Sequence, residues 1–99
     1  MKVTAVFRVT NTGANIATSG TSASATIPVN SAGTKRFIRI SATAAAYVRV
    51  GNGAQTAVST DMLVQPGDSV ILDVTGSIDT IAALQVSAPG VVVATPVEM

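Results

Sequence analysis

Apolar and polar residues alternate along most of this chain with a period of two, which is typical of half-buried β-strands rather than of amphipathic helices. Turn-forming residues separate the alternating stretches at the roughly 8–12-residue spacing of antiparallel sandwiches and small barrels. The pattern predicts an all-β fold, an antiparallel β-sandwich of about eight short strands with either jelly-roll or immunoglobulin-like connections. The predicted strands cover residues 3–9, 24–29, 35–41, 46–51, 57–64, 70–74, 80–87 and 91–97.

Turn signals and composition indicate how these strands are organised. Asn52-Gly53 favours a tight hairpin turn, and Pro66-Gly67 favours a turn because proline fixes φ and glycine accepts a positive φ. Residues 11–23 are rich in Thr, Ser, Gly and Asn, a composition typical of loops and extended arms. We therefore expect a single domain, in which residues 1–34 form an N-terminal strand plus a Thr/Ser/Gly-rich arm and residues 35–99 form the β-sandwich core.

One short pattern, an aromatic residue followed by a β-branched residue, arginine and another β-branched residue, occurs twice. It reads FIRI at residues 37–40 and YVRV at residues 47–50, and this close spacing predicts a hairpin. Because side chains alternate between the faces of a strand, placing the Ile and Val side chains in the core sets Arg39 opposite Arg49 on the other face. The same alternation predicts a buried core of Ile38, Ile40, Val48, Val50, Val70, Leu72 and Val74, with Leu84 and Val86 facing them.

Four outward residues of this hairpin are expected to form one patch that contacts another protein: Phe37, Arg39, Tyr47 and Arg49. Aromatic residues and arginine together are typical of protein-binding hot spots. Two like charges directly opposite one another destabilise a sheet, so an acidic group must lie nearby. The alternative is that the arginines cover the sheet surface and pair with carboxylates of the same chain, for which Asp73 is the best candidate.

The composition favours a structural protein over an enzyme or a nucleic-acid-binding protein. The net charge is only +1, so the chain lacks the basic excess of a nucleic-acid-binding protein. Only 11% of its residues are charged, which predicts a surface that contacts other protein. The chain contains no His and no Cys, so Ser-His, Cys-His and thiolate metal sites cannot form. We expect no catalytic site, no metal site and no cofactor. The longest apolar run, residues 91–94, is too short to span a membrane, and the first residues lack the apolar core of a signal peptide.

Residues 35–98 resemble the small β-rich structural proteins of tailed bacteriophages that are described as head decoration or cement proteins. Three motifs carry the resemblance: YVR-apolar-G at residues 47–51, DM-apolar-V-x-PG at residues 61–67 and IAA at residues 81–83. These motifs are strand and turn signals, and residues 1–34 match less well.

The resemblance implies a structural virion protein that decorates or cements the phage head through protein–protein contacts. Its partners would be the major capsid protein or neighbouring virion subunits, and it would form a homo-oligomer on the head surface after synthesis in the host cytoplasm. Contact with nucleic acid or membrane is not expected. The alternatives are a head–tail joining or tail-tip component and, from another class, a small adhesion or glycan-binding module.

Overall fold

The computed structural model describes residues 8–9, 13–27, 37–68, 70–74 and 76–98 of the 99-residue chain. Within these residues every regular element is a β-strand, and none forms a helix that could cross a membrane. The strands are β1 (Arg8–Val9), β2 (Ala14–Ala17), β3 (Ala23–Thr26), β4 (Phe37–Ala42), β5 (Ala46–Gly51), β6 (Met62–Val64), β7 (Val70–Asp73), β8 (Thr80–Gln85) and β9 (Val91–Glu98).

The strands form two antiparallel sheets that pack face to face. In the first, which we call sheet A, β4 lies between β7 and β9, and both β1 and β2 pair with the far side of β9. β1 pairs with residues 97–98 and β2 with residues 91–94, so the two short strands occupy one position of the sheet. The second, sheet B, has the order β3-β8-β5-β6.

The strand order is that of a jelly roll. Counting β1 and β2 as one position, sheet A contains the first, eighth, third and sixth strands in that order, and sheet B the second, seventh, fourth and fifth. The chain therefore crosses between the sheets at every step except from β5 to β6. Double-sheet jelly rolls have this connectivity, whereas immunoglobulin-like sandwiches keep more of their consecutive strands within one sheet. The predicted all-β antiparallel sandwich is confirmed.

Residues 13–27 are part of the sandwich and not an arm. β2 pairs with β9 in sheet A, and β3 pairs with β8 in sheet B. Ile16 and Thr18 are each only 4% exposed, and Thr18 exchanges hydrogen bonds with Gly90 through its main chain and its hydroxyl, both at 2.8 Å. The prediction of an arm at residues 11–23 is therefore wrong for residues 13–23, because alternation of small apolar residues with Ser, Thr and Asn supports strands here. Of the first predicted strand, residues 8–9 form β1, and the rest lies outside the described residues.

The predicted hairpin of residues 35–51 is also wrong. Both halves are strands, but β4 pairs with β7 and β9, whereas β5 pairs with β6 and β8. Residues 43–45 connect the two sheets instead of turning the chain back within one sheet. Ile38 and Ile40 consequently face Val48 across the core. A hairpin and this crossing between sheets would bury the same side chains. The alternation of apolar and polar residues therefore could not distinguish the two connections.

The core lies between the two sheets and consists mainly of Ile, Val and Ala. Its buried members are Ile16, Ile27, Ile38, Ile40, Ala42, Ala46, Val48, Val64, Val74, Ile81, Ala83, Val92 and Ala94, and Val50, Val70 and Leu72 pack against them while partly exposed. The predicted facing residues of β8 are wrong. Ile81 and Ala83 are fully buried, whereas Leu84 is half-buried and Val86 lies exposed beyond the strand end.

Candidate functional site

The four predicted interface residues all lie on outward faces, but not on the same one. Phe37 and Arg39 belong to β4 and lie on the outer face of sheet A, whereas Tyr47 and Arg49 belong to β5 and lie on the outer face of sheet B. All four are half-buried and alternate with buried neighbours in their strands. The prediction of one patch is therefore wrong, and Arg39 does not oppose Arg49. Protein binding by these residues stays a prediction.

The outer face of sheet B carries a row of apolar side chains, which we call the apolar row. Tyr47 lies opposite Leu63 of β6 on one side and opposite Leu84 of β8 on the other. Directly opposite residues in antiparallel strands have Cβ atoms about 4.5–5.5 Å apart, so the three side chains are neighbours. Leu63 is 44% exposed, and Val86, which follows β8 on the same face, is 40% exposed. An uncharged surface about three strands wide is thus presented to solvent.

An ion pair lies beside the apolar row. Arg49 donates hydrogen bonds from Nε and Nη2 to Oδ1 of Asp61, each at 3.1 Å. The other carboxylate oxygen of Asp61 accepts a hydrogen bond of 2.8 Å from Val58 N–H. This main-chain hydrogen bond lowers the pKa of Asp61 below its ordinary value of 3.8; partial burial opposes the shift, and the hydrogen bond and charge of Arg49 act with it. Asp61 therefore stays ionised and fixes the Arg49 guanidinium.

The carboxylate that satisfies Arg49 is Asp61 and not the predicted Asp73. Asp73 lies in the other sheet, opposite Phe37 on its outer face. Asp61 immediately precedes β6 and continues the β5–β6 ladder to a position opposite Arg49. The pairing could have been found from the sequence only if β5 and β6 had been recognised as partners. Ten residues, 52–61, separate the two strands, and this loop is too long for the hairpin turn that Asn52-Gly53 predicts.

The loop of residues 52–61 lies across the outer face of sheet B. Ala57 is buried, and its N–H donates a hydrogen bond of 2.8 Å to Oγ of Ser22, the residue before β3. β3 and β6 are the two edges of this sheet, so the loop must pass over β8 to reach Ser22. This path takes the loop over Ala82 of β8. Ala82 is therefore fully buried, although its side chain lies on the outer face of sheet B. Val58 of the same loop is exposed beside the Arg49–Asp61 pair.

The outer face of sheet B combines one ion pair with neighbouring apolar side chains. In the part of the chain that the structure describes, the charged pair Arg49 and Asp61 lies beside the apolar row, and Leu63, Val86 and Val58 are the exposed large apolar side chains of this face. Within the described residues, no three His, Cys, Asp or Glu side chains come together as they would to hold a metal ion. The sequence pointed to Tyr47 and Arg49 through the scarcity of aromatic and charged residues, but it missed Leu63 and Leu84, which join the face only through strand pairing.

Sheet A presents a second outward face that is more mixed. Arg39 lies opposite Ile71 of β7 and opposite Thr95 of β9, and Ile71 is 37% exposed. Phe37 lies between Asp73 and Val97. Among the described residues, charged and apolar side chains therefore alternate across this face, and they form no uninterrupted apolar row like that of sheet B.

Three comparisons of the whole chain, with protein-family models, with curated proteins and with solved structures, gave no match.

Proposed function

We propose that this chain is a structural virion protein that decorates or cements a bacteriophage head, and that it binds the head through the outer face of sheet B. The observation that carries the proposal is the apolar row. Exposed apolar surface next to aromatic and arginine side chains is characteristic of protein-binding sites. Tyr47 is central in this row, and the Arg49–Asp61 pair supplies a fixed polar border of the kind found at interface rims.

The location of the phage-like motifs supports the same face. The three segments that resemble decoration proteins, residues 47–51, 61–67 and 81–83, contribute β5, β6 and β8. These are the three neighbouring strands that carry the apolar row. The motif residues Tyr47, Arg49, Asp61 and Leu63 all point outward or border that face. Jelly rolls are, in addition, an architecture of viral capsid proteins as well as of lectins.

The test is cosedimentation with phage heads. Heads are assembled from the major capsid protein encoded by the same genome as this chain, purified, and mixed with the purified chain. The expected result is saturable, stoichiometric binding by the wild type. We expect Leu63→Ser to weaken binding by tenfold or more, because hot-spot truncations cost on the order of 2 kcal/mol, while the free subunit keeps its fold.

Ile71→Ser is the matched control, because Ile71 is 37% exposed and lies on the other sheet. It should bind as the wild type does. Absence of binding to heads would refute the decoration role, and binding to purified tails instead would establish the tail alternative. Loss of binding in Ile71→Ser with normal binding in Leu63→Ser would move the contact to sheet A.

A further inference from the structure

The strands β2 and β3, which form one side of the sandwich, contain no charged residue. The sequence has no Asp, Glu, Lys or Arg between Arg8 and Lys35. β2 and β3 lie within this interval and are edge strands, one in each sheet, and they contact one another on the same side of the molecule. The opposite side is formed by β6 and β7, where Asp61, Asp68 and Asp73 are found. Edge strands of monomeric proteins are commonly protected by charged side chains, and this side lacks that protection.

The main-chain groups that face outward at β3 follow from its pairing with β8. Ile27, the residue after β3, donates its N–H to Asp79 O at 2.9 Å and thus faces β8. Every second residue of an antiparallel strand faces the same neighbour, so Ala25 and Ala23 also direct their N–H and C=O groups towards β8. A residue in an antiparallel strand directs both groups to the same neighbour. Ser24 and Thr26 therefore direct theirs away from the sheet, and in the described part of the chain no strand pairs with this edge.

We propose that the free edge of β3 pairs with β3 of a second copy of this chain, antiparallel about a two-fold axis at Ser24. Such pairing exchanges two hydrogen bonds between Ser24 and Ser24 of the second copy, and it sets Thr26 opposite Ser22 of that copy. The two copies of sheet B then form one continuous sheet. The interface is self-complementary, as a two-fold contact requires.

A second copy suits this edge better than a charged partner. Around a two-fold axis any charge near the centre would meet its own like charge, and residues 9–34 contain none. The axis runs perpendicular to the sheets, so it also brings β2 next to β2 of the second copy in the other layer. Both strands are uncharged, and the side chains of β3 are small: Ala, Ser and Thr. Close main-chain approach is therefore possible in both layers.

Analytical ultracentrifugation of the full chain tests the dimer, with a mass of about twice 9.9 kDa expected for the wild type. Ser24→Pro removes an N–H that the monomer does not use and should give a monomer. Ser24→Lys places two like charges at the axis and should also give a monomer. This second variant keeps the test informative if the proline variant does not fold. Ser77→Lys, at an exposed residue of the turn between β7 and β8 and five residues before Ala82, the partner of Ser24 in β8, is the control and should remain dimeric.

Cysteine trapping then tests the register. The chain has no natural cysteine, so Ser24→Cys should form a disulfide-linked dimer on mild oxidation. The two Cα atoms would lie about 5.5 Å apart, within the range that disulfides span. Ser77→Cys should not cross-link. A monomeric wild type, or dimers that survive both Ser24→Pro and Ser24→Lys, would overturn the proposal. The free edge of β3 is on the other side of sheet B from β6, so this result is separate from that of the head-binding test.

Discussion

Asp61, the residue before β6, links β5 to the loop that crosses the outer face of sheet B. Its carboxylate accepts hydrogen bonds from Arg49 of β5 and from Val58 in the loop that crosses the sheet, and its own N–H donates to Val58 O at 3.0 Å. The side chain of Asp61 is only 14% exposed and that of Arg49 is 40% exposed. Asp61 thus holds both the guanidinium beside the apolar row and the end of the loop.

The lowered pKa of Asp61 predicts how stability changes with pH. Because the folded-state pKa lies below the ordinary value of 3.8, ionised Asp61 stabilises the fold above about that pH, and this contribution is lost as the pH falls through the folded-state pKa. We expect Asp61→Asn to be less stable than the wild type at pH 7 and the difference to shrink towards pH 3. Urea unfolding at both pH values measures it. If the difference in free energy of unfolding between the two proteins is the same at pH 7 and pH 3, the carboxylate charge of Asp61 does not stabilise the fold.

At the scale of the element, alternation predicted where strands lie better than which face or partner each strand has. The turn at Pro66-Gly67 is confirmed: Gly67 has φ of 91°, and Asp68 N–H donates to Gln65 O at 2.9 Å. This turn depends on a few adjacent residues, which the sequence displays directly.

β8 shows why faces are harder to predict. Ile81, Ala82 and Ala83 are all fully buried because the core covers one face of this central strand and the loop of residues 52–61 covers the other. A strand buried on both faces has no contrast between polar and apolar sides, so alternation could not decide whether Ile81 and Ala83 or Leu84 and Val86 face the core. The missing information was the position of a loop that is distant in sequence.

β2 provides the prediction at this scale. Ile16 is 4% exposed and lies opposite Val92 of β9, so Ile16→Ala should lower the free energy of unfolding by roughly 2–5 kcal/mol. Asn15→Ala, at an exposed neighbouring position, is the control and should change it by less than about 0.5 kcal/mol. Urea denaturation measures both. A loss below about 1 kcal/mol for Ile16→Ala would restore the interpretation of this segment as an arm.

At the scale of the whole molecule, the connections between sheets could not be predicted from alternation. Hairpin and crossing connections bury the same residues, so the pattern at β4 and β5 fits both. The crossings are fixed by contacts that are distant in sequence. Two threonine hydroxyls hold the start of β9. The Thr18 hydroxyl accepts a hydrogen bond from Gly90 N–H, and the Thr43 hydroxyl accepts one from Val91 N–H, both at 2.8 Å. Gly90 is required there, since a Cβ would lie 2.8 Å from that of Ala44.

The same topology decides the candidate site. It separates Phe37 and Arg39 from Tyr47 and Arg49, and it brings Leu63 and Leu84 beside Tyr47. The outward direction of the four predicted residues followed from the sequence, whereas their grouping depended on strand order. The apolar row is therefore a property of the jelly roll and not of any one segment.

The most direct test of the proposed function is a cryo-EM map of phage heads saturated with this chain, at a resolution that identifies side chains. We expect density for the jelly roll on the outer surface of the head, with Leu63, Tyr47 and Leu84 against the capsid protein and sheet A facing away. Heads without added density, or a subunit attached through the outer face of sheet A, would contradict it.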